Sequence, residues 1–136
     1  MKIAMLGLGK MGGNMAARLI RNGVSVVGYD NNQTVVNQLE ETENLIPASS
    51  VKDALSKLDE QKIVWMMLPA GEITENQIHE LVPLLNKGDV IIDGGNSNFK
   101  RSVKMGAMLE ENGIGFMDCG TSGGVWGLDN GYCLMV

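Results

Sequence analysis

The sequence predicts a doubly wound α/β domain with a mainly parallel sheet, and three observations carry that prediction. Strand-like apolar runs alternate with helical segments along the whole chain, with no linker and no repeat. The run Ile63-Val64-Trp65-Met66-Met67-Leu68 is apolar throughout, as expected of a central parallel strand buried on both faces. The first strand runs into three spaced glycines, and the second ends on a carboxylate. Such alternation places helices on both faces of the sheet and a ligand crevice beyond the carboxyl ends of its strands.

The first strand, Ile3 to Leu6, enters Gly7-Leu8-Gly9-Lys10-Met11-Gly12. Gly7 permits a tight turn, Gly9 lets a pyrophosphate approach the backbone, and Gly12 lets the next helix pack close to the sheet. That helix presents Met11, Met15, Leu19 and Ile20 at helical spacing and stops at Asn22-Gly23. The second strand, Val24 to Asp30, places a carboxylate about 20 residues past the glycines, where it accepts hydrogen bonds from an adenosine ribose. A glycine-rich turn without a ligand needs neither the flanking strand and helix nor the acidic stop. The unit is therefore of the Rossmann dinucleotide-binding type.

Val35, Val36 and Leu39 mark a short helix, and Leu45-Ile46 a brief strand. Ser50 is placed to cap a helix whose Val51, Ala54, Leu55 and Leu58 form an apolar stripe. After the central strand come a helix carrying Ile78, Leu81, Val82 and Leu85 and a fifth strand, Val90-Ile91-Ile92. A helix around Ser102 to Glu111 ends at Asn112-Gly113, and Ile114 to Asp118 forms a sixth strand. Tyr132 to Val136 is a candidate seventh strand of unassigned direction.

At 136 residues the chain reads as one domain, residues 1–136, able to bury its own core. Eleven basic against 16 acidic residues give a net charge of -5, which argues against a nucleic-acid partner. No apolar run is long enough for a membrane helix, and the chain opens on a strand rather than a signal peptide. Cys119 and Cys133 lack metal-type spacing and read as reduced thiols of a cytoplasmic protein, with no metal expected. His79 stands alone among polar neighbours, and the methionines read as core fillers.

Three further loops leave the carboxyl edge: Leu68-Pro69-Ala70-Gly71, Asp93-Gly94-Gly95-Asn96-Ser97, and Asp118-Cys119-Gly120-Thr121-Ser122-Gly123-Gly124. One such loop is an ordinary turn. Three on the edge already marked by the glycines describe a ligand cleft, with Asn96, Ser97, Thr121 and Ser122 as neutral hydrogen-bonding groups.

Gly7-Leu8-Gly9-Lys10-Met11-Gly12 followed by Asn14-Met15-Ala16 resembles the start of the β-hydroxyacid dehydrogenase superfamily. Within it, Ile91-Ile92-Asp93-Gly94-Gly95-Asn96-Ser97 and Ser122-Gly123-Gly124-Val125-Trp126-Gly127 resemble 6-phosphogluconate dehydrogenase over the whole chain. The sister 3-hydroxyisobutyrate and tartronate semialdehyde enzymes share the first motif and the Ser-Gly-Gly but usually carry a different, Ser-Thr-containing segment after the fifth strand. The resemblance implies that Gly7, Leu8, Gly9, Lys10, Met11 and Gly12 hold the pyrophosphate. It places Asp30, Asn31 and Asn32 at the adenosine ribose, and Leu68, Pro69 and Ala70 near the nicotinamide. Asn96 would touch both coenzyme and sugar acid, and Ser122, Gly123 and Gly124 the substrate carboxylate. The implied reaction oxidises the C3 hydroxyl of 6-phosphogluconate, and the β-keto acid then loses carbon dioxide without a metal.

Two departures from the family pattern refine these expectations. Relatives that use NADP carry Asn-Arg-Thr after the second strand, whereas this chain has Asp30-Asn31-Asn32. A 2′-phosphate there meets no arginine and is repelled by Asp30, by roughly 4 kcal/mol per charge pair at about 4 Å and an effective dielectric of about 20. NAD is the expected coenzyme. The family also continues into a helical domain that supplies the catalytic lysine and much of a homo-oligomer interface. The chain given ends at Val136 and is expected to be the coenzyme domain alone, with no catalytic residue of its own; Lys10, Lys100 and Lys104 lie outside the lysine motif. The competing readings are a coenzyme domain for a smaller 3-hydroxy acid and a non-catalytic nucleotide-sensing module.

Overall fold

A computed structural model describes residues 1–136. Six strands form one sheet: β1 (Lys2–Leu6), β2 (Ser25–Tyr29), β3 (Ile46–Pro47), β4 (Ile63–Met66), β5 (Val90–Asp93) and β6 (Gly115–Asp118). Their order is β3-β2-β1-β4-β5-β6, and every pairing is parallel. The connecting helices are α1 (Lys10–Arg21), α2 (Gln33–Glu43), α3 (Val51–Ser56), α4 (Glu72–Leu81) and α5 (Phe99–Glu111). Alternation along β1 divides the core: Ile3 and Met5 face Met15, Ala16 and Val36, while Ala4 and Leu6 join Ala54, Leu55, Ile78 and Leu81. The strand order reverses between β1 and β4, which opens a crevice at their carboxyl ends.

Local chemistry sets the helix starts. The side chains of Asn32, Ser50 and Asn98 accept hydrogen bonds from Thr34, Asp53 and Lys100 N–H groups at the first turns of α2, α3 and α5. The Asn98 cap starts α5 three residues before the expected Ser102. By contrast, α1 begins at Gly9, which brings no side-chain cap, so its first-turn N–H groups stay available.

Three expectations need correction. The face that α1 buries is Gly12, Gly13, Met15, Ala16 and Ala17, whereas Met11, Leu19 and Ile20 are half-buried. A Cβ on Gly12 would overlap the Gly7 carbonyl oxygen, so the helix sits too close for larger residues. In β4, Val64 and Met66 are buried, but Ile63 and Trp65 are half-buried; the strand is central but not equally covered on both faces. Finally, the C-terminal strand does not extend the sheet. β7 (Gly120–Ser122) and β8 (Cys133–Met135) form a separate antiparallel pair. They are joined through a 3₁₀ turn, Gly124–Trp126, and the short α6, Gly127–Asn130. Arg18 secures this return by donating from Nη1 to the Leu128 and Asp129 carbonyls at 2.9 and 3.3 Å. Both cysteines are free, Cys119 buried and Cys133 exposed. No helix is long and apolar enough to cross a membrane.

The amino edge of the sheet is tied by Asp89, which is 2% exposed. Its Oδ1 accepts the Lys62 N–H at 2.8 Å and its Oδ2 the Asn86 N–H at 2.8 Å. Asp89→Ala removes the acceptor of two partly buried amides and is expected to cost roughly 1–3 kcal/mol in urea unfolding. A loss below about 0.5 kcal/mol, the scale of an ordinary surface change, contradicts this account.

Candidate dinucleotide site

A cavity of about 550 Å³ opens at the carboxyl ends of β1, β2, β4 and β5. Of the residues singled out from the sequence, Gly7, Gly9, Met11, Asp30, Asn31, Leu68, Pro69 and Asn96 line it. The three glycines stand in different relations to it. Gly7 has φ +90°, and a Cβ there would lie 2.5 Å from the Met67 carbonyl oxygen. Gly12 abuts Gly7. Gly9 has extended backbone, and a Cβ would meet nothing within 4 Å. Folding therefore requires Gly7 and Gly12 to be glycine, whereas only the open space beside Gly9 gives a reason for its missing side chain. The uncapped start of α1 adds free N–H groups and the positive end of the helix dipole to the same wall.

Asp30 is the only charged residue on the cavity wall. Its Oδ2 accepts the Leu8 N–H at 2.7 Å and its Oδ1 the Asn32 N–H at 2.8 Å. A carboxylate has about four acceptor positions, so two remain for a ligand. Asn31 accepts a 2.9 Å bond from the Tyr29 hydroxyl. Leu8, Lys10, Gly12 and Asn32 do not line the cavity. The Leu8 side chain is buried in the core, Lys10 is exposed, and Asn32 is spent capping α2.

Asn96 borders the cavity, but its amide is turned aside. Nδ2 donates to the Thr121 carbonyl at 3.2 Å, and Oδ1 accepts the Thr121 N–H at 3.0 Å. The residue holds a left-handed backbone, φ 59°. Its predicted partners Ser122, Gly123 and Gly124 follow Thr121 directly; they are exposed and lie off the cavity wall, as does Ala70. Ser97 donates to buried Asp93 at 2.6 Å, which locks the loop after β5. Burial pushes the Cys119 thiol up and keeps it protonated.

Sequence reasoning missed Tyr29, Met67, Ile73 and Gln77 on the wall. One signal was available: Ile73 lies off the Thr74, Ile78, Leu81 buried stripe of α4 and is exposed.

Glycine loop, acidic strand end and a crevice at the switch in strand order together make this a Rossmann-type dinucleotide-binding domain. The model of the NAD binding domain of 6-phosphogluconate dehydrogenase matches residues 2–136, and the chain belongs to that family. YqeC of Bacillus subtilis is 43% identical over 136 residues, covering 100% of this chain and 45% of that protein. The NAD(+)-dependent, decarboxylating 6-phosphogluconate dehydrogenase of Haloferax volcanii is 37% identical, covering 100% of this chain and 44% of that protein. Among solved structures, the 3-hydroxyisobutyrate dehydrogenase of Mycobacterium tuberculosis superimposes with a TM-score of 0.82 at 28% identity, over 93% of this chain and 42% of that one. The chain spans less than half the length of these relatives.

The division among the glycines is testable. Gly9→Ala is expected to leave stability within about 0.5 kcal/mol of wild type while weakening dinucleotide binding at least about tenfold. Gly12→Ala is expected to destabilise by roughly 1–3 kcal/mol or more through overlap with the Gly7 carbonyl. Thermal unfolding and calorimetric titration of the two variants separate these effects.

Proposed function

We propose that this chain is the coenzyme domain of an NAD-dependent, decarboxylating 6-phosphogluconate dehydrogenase. The observation that carries the preference for NAD is the cavity wall itself: Asp30 is its one charge, and no lysine or arginine lines it. A 2′-phosphate would face that carboxylate without a counter-ion. Even about 1.4 kcal/mol of the resulting repulsion gives tenfold discrimination.

The residues present fit the coenzyme. The space beside Gly9 and the uncapped start of α1 suit its pyrophosphate, and the spare lone pairs of Asp30, with Asn31, suit the adenosine ribose. Leu68 and Pro69 would border the nicotinamide end, with Ala70 just beyond the cavity wall. Asn96 with Ser122, Gly123 and Gly124 carries the sugar acid, with Asn96 holding that turn through Thr121. NAD, when bound, supplies the hydride acceptor for oxidation of the C3 hydroxyl. This chain's residues bind and orient, and the acid/base groups for decarboxylation belong to the remainder of the longer enzyme. That enzyme is a cytoplasmic homo-oligomer on this reading. The likeness to 3-hydroxyisobutyrate dehydrogenase supports a second reading, a smaller 3-hydroxy acid as substrate.

Calorimetry with NAD and NADP tests the coenzyme, and addition of 6-phosphogluconate or 3-hydroxyisobutyrate to the NAD complex tests the substrate. NAD is expected to bind at least about tenfold more tightly than NADP. 6-Phosphogluconate, and not 3-hydroxyisobutyrate, is expected to tighten it further. Equal affinities, or tightening by the smaller acid alone, overturn the respective parts.

A further inference from the structure

Asp30 does more in this fold than end a strand. Its two oxygens are already engaged, and by two different kinds of bond. The bond from the Asn32 N–H is local and aims the carboxylate. The bond from the Leu8 N–H spans 22 residues and joins the loop after β2 to the glycine loop after β1. Leu8 is the residue between Gly7 and Gly9, and its side chain is 1% exposed. The middle of the glycine loop is thus held from two sides, by its side chain in the core and by its N–H on a carboxylate. Gly9 and the first free N–H groups of α1 follow directly from this point, so their direction depends on it.

We infer that Asp30 is a positioning residue for the glycine loop: its carboxylate latches the Leu8 N–H and so presets the pyrophosphate-facing backbone, apart from any contact with a ribose. A hydrogen bond to an ionised acceptor is short and stronger than a neutral one, which suits a single bond that must hold a loop. An asparagine keeps only one of the two oxygens, and that one is neutral, so it cannot receive the Leu8 and Asn32 N–H groups on separate ionised oxygens as the carboxylate does. The consequence for ligand binding rests on the coenzyme reading above, whereas the latch itself does not.

The two roles of Asp30 make opposite predictions for an anion. If the side chain only faces the ribose and repels phosphate, Asp30→Asn removes a negative charge from the wall, and inorganic pyrophosphate binds as well or better. If it latches the loop, Asp30→Asn weakens pyrophosphate despite the lost charge. The experiment is amide NMR on the 136-residue chain, wild type, Asp30→Asn and Asp30→Ala, with and without inorganic pyrophosphate. The Leu8 amide is expected to exchange with solvent about tenfold faster in Asp30→Ala, which keeps no acceptor, and measurably faster in Asp30→Asn, whose acceptor is neutral, while the Met5 amide in β1, the control for intact folding, is unchanged. Pyrophosphate affinity, followed on the Gly9 and Lys10 amides, is expected to fall at least about threefold in Asp30→Asn. Unchanged Leu8 exchange, or pyrophosphate binding equal to or tighter than wild type, overturns the inference. A wild-type chain that binds no NAD sinks the coenzyme reading alone. Faster Leu8 exchange in the variants then still upholds the latch, and unchanged exchange still overturns it.

Discussion

The close approach of three loop backbones at the carboxyl edge governs the rest of this molecule. A Cβ at Gly7 would press on the Met67 carbonyl, one at Gly12 on the Gly7 carbonyl, and one at Gly95 on the Leu68 carbonyl. One at Gly94 would fall 2.6 Å from both the Met67 sulfur and the Trp65 indole nitrogen. The loops after β1, β4 and β5 therefore touch backbone to backbone. That contact sets how closely α1 lies on the sheet and why its first turn buries Gly12 and Gly13. It also leaves the cavity just outside the contact, where Gly9 alone is free of neighbours. The site is the unfilled remainder of a packing solution, bounded by residues that cannot grow.

Electrostatics then give that space a direction. One end of the wall carries Asp30, and the adjoining start of α1 carries unsatisfied N–H groups with the positive end of the helix dipole. Hydrogen-bond donors suit the Asp30 end, and a phosphate suits the start of α1. The cavity supplies shape, and the order of charges along it supplies polarity.

The fold was legible where its causes are local. The glycine spacing, the Ser50 cap, the Asn22-Gly23 stop and the acidic end of β2 are written within a few residues of where they act. What escaped depends on distant partners. The small-residue face of α1 follows from a loop it packs on, and apolar spacing alone favoured Met11 and Leu19. The return of β8 onto β7 rests on Arg18, over a hundred residues earlier, donating to Leu128 and Asp129. Asp89 looks like any loop acid until Lys62 and Asn86 are seen to donate to it. Asn96 was legible as a cavity-wall residue because of its glycine neighbours, but its partner Thr121 lies 25 positions away.

That Asn96–Thr121 pair shows how the chain joins the loop after β5 to β7 with one side chain. One N–H and the oxygen of the amide bond the Thr121 backbone, and Asn96 itself holds a left-handed conformation. Ser122, Gly123 and Gly124 extend from Thr121, so the position of that turn relative to the coenzyme cavity is set by a bridge of two hydrogen bonds. Asp93 anchors the other side of the same loop through Ser97 and Gly95. Asp30 acts in the same way at the opposite end of the cavity, with one polar side chain fixing a neighbouring loop by its backbone. In both places the bonded partner is backbone, which makes the geometry independent of the partner's side chain. A change at either side chain therefore removes a restraint on a neighbouring segment as well as a contact.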